Sequence, residues 1–389
     1  MERKRLLSVL LISVLVVPAF LLASAMPVKA QEKLIDPYTA LPVFDPNVYL
    51  QVLGEKYVDI DLCPVMLNEP INTPDTGKWK SSPPPWIFGY SDITVHNPWR
   101  MTVWNEAKYE AGKYPKVIKE MYMVEAGGDI SKQMADIENL MAKRVNALLI
   151  SPGSPSALVP VIEKAYDKGI PVILFNGRIN SEKFTSGCQH DEFGMGWAFA
   201  TWLAEQLNGK GTVVGIKGLA GYKDATDRWN GALAGIAQYP GIKLLGSEFG
   251  QWSPVEARKA ATNLLAAHPK FDGILSIDPW GTAAIIELMG AAGRPMVPTT
   301  GFEENSSFRN WKKYDVTGIG ANEPTWLSAE AVKVAIKVLQ GEPVFKRYVA
   351  RVPIINREAG DRLYRGDMPD SYYPGTHLPE EILQKLHKK

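Results

Sequence analysis

The chain has 389 residues, 46% of them hydrophobic and 22% charged, the profile of a folded protein large enough for two domains rather than of a disordered one. Its 43 basic and 42 acidic residues leave a formal net charge of +1, which excludes charge-driven nucleic-acid binding as a main activity.

At the start, Arg3, Lys4 and Arg5 precede an apolar run from Leu6 to Ala25, and Val28-Lys29-Ala30 supplies a small-x-small cleavage site. Residues 1–30 therefore read as a secretory signal peptide, and the expected location is periplasmic or otherwise extracytoplasmic. The apolar run is not far short of a spanning helix, so an uncleaved anchor is the competing reading; Pro18 and the cleavage-like end favour removal. No cysteine follows closely enough to carry a lipid. Cys63 and Cys188 would face an oxidising compartment, either joined by a disulfide or as two unpaired thiols.

Residues 31–85 are rich in Pro, Asp and Asn without a sustained period, and read as an extension closed by the Ser81-Ser82-Pro83-Pro84-Pro85 linker. From Trp86 onward short apolar runs alternate with amphipathic stretches. Strands are predicted near Ile87–Ser91, Val117–Val124, Ala147–Ser151 and Pro171–Phe175, with helices over Pro98–Lys113, Asp129–Lys143 and Pro155–Lys168 between them. After a break around Asn180–Gln189 the alternation resumes. Strands are predicted near Thr212–Ile216, Leu244–Phe249, Gly273–Ile277 and Val297–Phe302, and helices near Phe193–Leu207, Ala225–Ala237, Pro254–Ala267 and Thr282–Ala292. Two series of β-α-β units predict an α/β protein of two Rossmann-like lobes, each with a parallel sheet covered by helices on both faces.

Ligands of open parallel sheets bind beyond the carboxyl ends of the strands, so the residues there are the candidate site. The first strand is followed by Asn97-Pro98-Trp99-Arg100, where Asn97 faces the cleft or caps the helix and Trp99 faces the cleft or packs on the lobe. Phe175-Asn176-Gly177-Arg178 offers an amide and a guanidinium for directed hydrogen bonds. In the second series, Tyr222-Lys223-Asp224-Ala225-Thr226-Asp227-Arg228 opens a helix. Gln251-Trp252-Ser253, Asp278-Pro279-Trp280 and Gly301-Phe302-Glu303 follow consecutive strands. Tryptophan with carboxylate suits a sugar, the ring covering its C–H face and the acid accepting from hydroxyls.

These residues resemble the ribose- and galactose-type periplasmic binding proteins, whose type I fold is shared by the lactose-repressor family. The resemblance runs from about Trp86 to Gly341. It is carried by Asn97-Pro98 with a following aromatic, Gly169-Ile170-Pro171-Val172-Ile173, Asp191 at a helix start and the Gly218–Gly221 turn with Arg228. Asn263-Leu264-Leu265 with His268-Pro269, Gly301-Phe302-Glu303 and Gly341-Glu342-Pro343 add to it.

The resemblance implies lobes joined by a three-strand hinge, with residues 86–186 and 323–349 in the N-terminal lobe and 187–322 and 350–389 in the C-terminal lobe and tail. It implies that Trp99 and Trp252 stack on the ligand from opposite lobes, while Asn176, Asp278, Glu303 and Asn322 hydrogen-bond hydroxyls. The family commonly has Asp-Arg where Asn176-Gly177 stand, with Arg178 one place later, an arginine in place of Thr226, and aspartate or asparagine in place of Glu303. The pocket is therefore not expected to be tuned for ribose, and Asp224 is a substitute contact. With Arg228 and Trp280, these complete the candidate ligand residues.

The implied function is capture of a small sugar or polyol by lobe closure and its delivery, as a monomer, to a membrane ABC permease driven by an ATPase. A sensory receptor serving a histidine kinase or chemoreceptor is the alternative, and a glycoside-processing enzyme a distant third. No nucleophile elbow, metal-spaced histidines or Walker motif is present in the sequence, so neither catalysis, metal nor cofactor is expected.

Overall fold

The computed structural model describes residues 66–68, 75–81, 83–350 and 352–387. The expected signal segment, most of the extension and Cys63 lie outside the described residues. Among the described residues no helix is long and apolar enough to cross a membrane.

The first series runs β1 (Met66–Asn68), β2 (Trp86–Asp92), α1 (Pro98–Gly112), β3 (Ile118–Glu125), α2 (Ile130–Ala142), β4 (Ala147–Ser151), α3 (Val159–Asp167), β5 (Val172–Phe175) and β6 (Ser186–His190). The second runs α4 (Glu192–Gln206), β7 (Lys210–Lys217), α5 (Lys223–Ala237), β8 (Gly241–Phe249), α6 (Pro254–Ala267), β9 (Gly273–Ser276), α7 (Pro279–Ala291), β10 (Thr299–Phe302), α8 (Asn305–Tyr314) and β11 (Gly318–Ala321). The chain then returns through α9 (Leu327–Gln340) and β12 (Arg347–Ala350), crosses again to β13 (Ile354–Ile355) and α10 (Arg357–Leu363), and ends in α11 (Glu380–His387).

One sheet has the order β1-β12-β6-β5-β4-β2-β3 and the other β13-β11-β10-β9-β7-β8. All neighbours are parallel except β1 with β12 and β11 with β13. The central strands read as continuous apolar runs because both faces are covered: Leu148, Leu149 and Ile150 of β4 are fully buried. The two α/β lobes expected from the sequence are present, and the polypeptide passes between them three times, after β6, after β11 and after β12.

Two parts of the sequence reading are corrected. Residues 186–190 (Ser-Gly-Cys-Gln-His) carry no apolar run and all but His190 fell within the expected break, yet they form β6, paired on both sides by β5 and β12. The first crossing therefore lies at His190-Asp191-Glu192, later than the lobe boundary expected at 186. The tail after 350 does not belong to the second lobe alone. Met368, Tyr372, Leu378 and Leu383 form an apolar cluster against Tyr109 of α1, in the first lobe.

Local chemistry fixes the helices that carry the cleft. Asn97 caps α1 by accepting from the Arg100 N–H at 2.8 Å, with Pro98 in the first turn. Helices α4 and α5 pack at glycines: a Cβ on Gly196 would lie 1.8 Å from the Arg228 carbonyl oxygen, and one on Gly231 would lie 2.0 Å from that of Phe193. Because the obstacle is backbone, Gly196→Ala must push the helices apart. We expect it to lower stability by about 3 kcal/mol in urea unfolding.

Candidate functional site

Between the lobes lies a cavity lined by residues of both lobes. The first lobe contributes Asn97, Trp99 and Arg100 from the start of α1. The second contributes Tyr222, Asp224 and Arg228 from the start of α5, Trp252 after β8, Pro279 and Trp280 from α7, and Glu303 after β10. Glu192 and Glu323 enter from the crossovers, and Tyr373 from the tail.

Of the sequence-predicted residues, the structure brings Asn97, Trp99, Asp224, Arg228, Trp252, Trp280 and Glu303 to this one cavity. The other five stand elsewhere. Asp278 is fully buried behind the wall, where it accepts from the Gly281 N–H at 3.0 Å and the Trp252 N–H at 2.9 Å. It fixes the turn that presents the Trp252 ring, a turn with Gln251 and Trp252 at φ 59° and 48°, strained for bulky side chains. Thr226 is exposed and donates its hydroxyl to the Tyr222 carbonyl one turn back. Asn322 is buried at the second crossover, its N–H donating to Pro353 O at 2.9 Å.

Asn176 and Arg178 form the seam between the lobes. Arg178 stands 3.5 Å from Asp227 of the facing lobe. Asn176, 1% exposed, accepts the Tyr222 hydroxyl on its carbonyl at 2.8 Å, while both polar atoms of its side-chain amide lack partners among the described residues. Sequence reasoning missed Arg100 and Tyr222 as seam residues. Arg100 is anchored at the ends of β2 and β4 by Asp92 (2.9 Å) and Ser151 (2.7 Å), and its other arm donates to the Tyr222 hydroxyl. The chain Arg100 to Tyr222 to Asn176 holds the lobes closed, and only its position after a strand hinted at it.

Deeper in the cleft the crossovers are tied by charge. The Arg228 guanidinium, 1% exposed, reaches Glu192 (2.7 Å), Glu323 (2.9 Å) and Glu303 (3.2 Å). His190 donates from Nε2 to the Pro324 carbonyl (2.9 Å) and turns Nδ1 toward Glu323 (3.4 Å) and Glu192 (3.5 Å). Burial disfavours charge on the imidazole, but the two carboxylates outweigh it and raise its pKa. Burial also opposes the Glu192 carboxylate, and Arg228 and His190 overcome it, holding its pKa well below the usual range. Glu303 is the unbalanced member: burial raises it well above the carboxylate range, with Glu323 adding to the effect. His190, Glu192 and Glu323 offer metal-type donor atoms within 4.8 Å of one another. The positive charge a metal would bring is already supplied there by Arg228. Glu192, Glu323 and His190 were missed because they sit at crossovers that sequence periodicity does not mark.

The tail spans the cleft mouth. On the second lobe, the Asn305 amide donates to the carbonyls of Arg365, Met368 and Pro369, and the N–H groups of Asn305 and Ser306 donate to Tyr372 and Asp370. Tyr373 then enters the cavity wall. On the first lobe, buried Glu106 of α1 accepts from Thr376 Oγ1 (2.7 Å) and His377 N (2.6 Å), and His377 stacks on Trp326 with centroids 5.0 Å apart.

Residues 88–343 match the family described as periplasmic binding protein domain. Among similar proteins, the xylitol-binding protein of Mycolicibacterium smegmatis is 27% identical over 245 residues, 62% of this chain and 70% of that protein. The ribose import binding protein of Bacillus subtilis is 25% identical over 261 residues, 67% and 83% of the two chains. Among solved structures, the fructose-binding periplasmic domain of a hybrid two-component system is 26% identical with a TM-score of 0.64, covering 72% of this chain and 93% of that one. A glycerol-bound ABC transporter solute-binding protein from Mycobacterium smegmatis has a TM-score of 0.66 at 23% identity, covering 73% and 98%. With two α/β lobes, three crossovers and a cleft between them, this chain belongs to the periplasmic binding protein domain family.

Proposed function

We propose that the chain is an extracytoplasmic receptor that captures a small sugar or polyol by closing its lobes and hands it, as a monomer, to an ABC permease and its ATPase. The observation that carries this reading is one cavity lined from opposite lobes by Trp99 and Trp252, with carboxylates and guanidinium groups at its base. Rings cover the C–H faces of a polyol while charged groups direct its hydroxyls. A ligand touching both lobes favours the closed form by its differential affinity for it. The xylitol- and ribose-binding relatives support the ligand class. Binding without turnover is supported by the relatives, which are binding proteins, and by Asp278, Glu192 and Glu323, the first held by backbone N–H groups and the other two by Arg228.

A sensory role is the second reading, favoured by the likeness to the fructose-binding domain of a two-component system. Reconstitution of uptake with the permease and ATPase separates the two.

The ligand reading is tested by thermal melting of protein unfolded and refolded to strip carried-over ligand, against monosaccharides and polyols. Ligand at a hundred times its Kd adds about 2.7 kcal/mol. A shift of several degrees with one compound is expected, and its loss in Trp252→Ala. No shift across the panel for the folded protein would overturn the sugar or polyol assignment.

A further inference from the structure

The cleft is richer in acid than binding of neutral hydroxyls requires. Four carboxyl groups line the cavity, Glu192, Asp224, Glu303 and Glu323. Arg100 on the opposite wall is already matched by Asp92 at 2.9 Å. Arg228 and His190 stand against Glu192 and Glu323, which leaves Glu303 as a third carboxyl on one guanidinium. Among the described residues Asp224 has no ion pair within 4 Å as close as that of Asp92 with Arg100; Arg178, whose charge opposes the effect of burial on it, stands 3.5 Å from Asp227.

Around these acids the same cavity gathers five aromatic rings, Trp99, Tyr222, Trp252, Trp280 and Tyr373. Aromatic faces carry negative potential and attract a cation, more strongly when it is desolvated. An ammonium is the group that satisfies both the surplus acid and the ring faces. A neutral polyol satisfies neither charge.

Resting on the receptor reading above, we propose that the natural ligand is a polyhydroxylated molecule bearing a protonated amine, an amino sugar or aminocyclitol, whose ammonium pairs with Glu303 and is flanked by Asp224. Glu303 is faced by Arg228 from α5, by Glu323 and Glu192 from the crossovers and by Tyr373 from the tail. Burial disfavours its charge in the empty cleft, and Arg228 opposes that effect. Burial raises Asp224 to about 7, with Glu192 and Asp227 adding to the rise and Arg178 and His190 opposing it. An arriving ammonium opposes the effect of burial and favours the carboxylate, so any proton that Glu303 carries leaves to solvent on binding.

The test is titration calorimetry with matched pairs: glucose and glucosamine, galactose and galactosamine, myo-inositol and an amino-inositol. Each pair is measured in two buffers of different ionisation enthalpy. We expect the amine of the recognised pair to bind at least about tenfold more tightly than its neutral partner, with any net proton release confined to the amine. In Glu303→Gln the affinity ratio should fall toward one and any proton release should vanish. Should that variant fail to fold, the wild-type affinity ratio decides alone. A neutral compound binding as tightly as its amine overturns the amine assignment and leaves the sugar receptor standing. No binding by any member of the folded protein overturns both.

Discussion

Replacing Arg228 by methionine should cost about 4 kcal/mol, because it strips the shared cation from three buried carboxyls and leaves only His190 beside two of them. For lobes of this size that corresponds to a fall in Tm of about 10 °C or more. The pH dependence distinguishes this cause from simple loss of packing. In the wild type, Glu192 has a depressed pKa, so its stabilising contribution is present above the unfolded value and lost only as pH falls through its folded value, far below neutrality. In Arg228→Met burial acts on Glu192 with only His190 left to oppose it, so its pKa rises and the group tends to take up a proton on folding. The deficit should therefore shrink by about 1.4 kcal/mol for each proton and pH unit between pH 7 and 5. A deficit equal at both pH values would mean that Arg228 acts through its volume alone. Arg228→Lys should recover part of the loss, since one ammonium cannot serve all three partners of the guanidinium fork.

Breaking the tail's hold on the first lobe should have the second largest effect. Glu106→Ala removes the acceptor of Thr376 and His377, and the buried partners left behind should cost about 3 kcal/mol. Hydrogen exchange gives a sharper readout than stability. Amides from 375 to 387 should lose protection while those from 365 to 372, which dock on Asn305 and Ser306, keep it. Because Tyr373 lies between the two anchors, the ligand's dissociation rate should rise as well. Uniform exchange across the whole tail would contradict the two-anchor description.

Much of the architecture was legible in the sequence, because parallel strands buried on both faces leave apolar runs and their connecting helices leave a helical period. The second-lobe strands β7, β8, β9 and β10 were located that way. The tryptophan ends of the strands were legible for the same reason: Trp99, Trp252 and Trp280 are polar-context aromatics where periodicity stops. What could not be read depends on pairing rather than pattern. β6 has no apolar signature and is a strand because β5 and β12 flank it. Glu192 and Glu323 are separated by more than a hundred residues and meet only because two crossovers run side by side onto Arg228. Asp278 has the composition of a ligand contact, and only the close approach of Gly281 and the Trp252 turn turns it into a clamp. The reach of the tail from Asn305 to Glu106 has no local signal, since its anchors are mostly backbone carbonyls and N–H groups.

The proposed closure of the two lobes on ligand is tested most directly by the distance between nitroxide labels at Ser156→Cys, exposed after β4 in the first lobe, and Val255→Cys, 63% exposed in the second. Cys63 is replaced by serine, and Cys188 is fully buried. The expected result is a broad distribution of longer distances in the stripped protein that collapses to one short distance when the ligand found by melting is added, and does not collapse in Trp252→Ala. A distribution that the bound ligand leaves unchanged would contradict capture by closure.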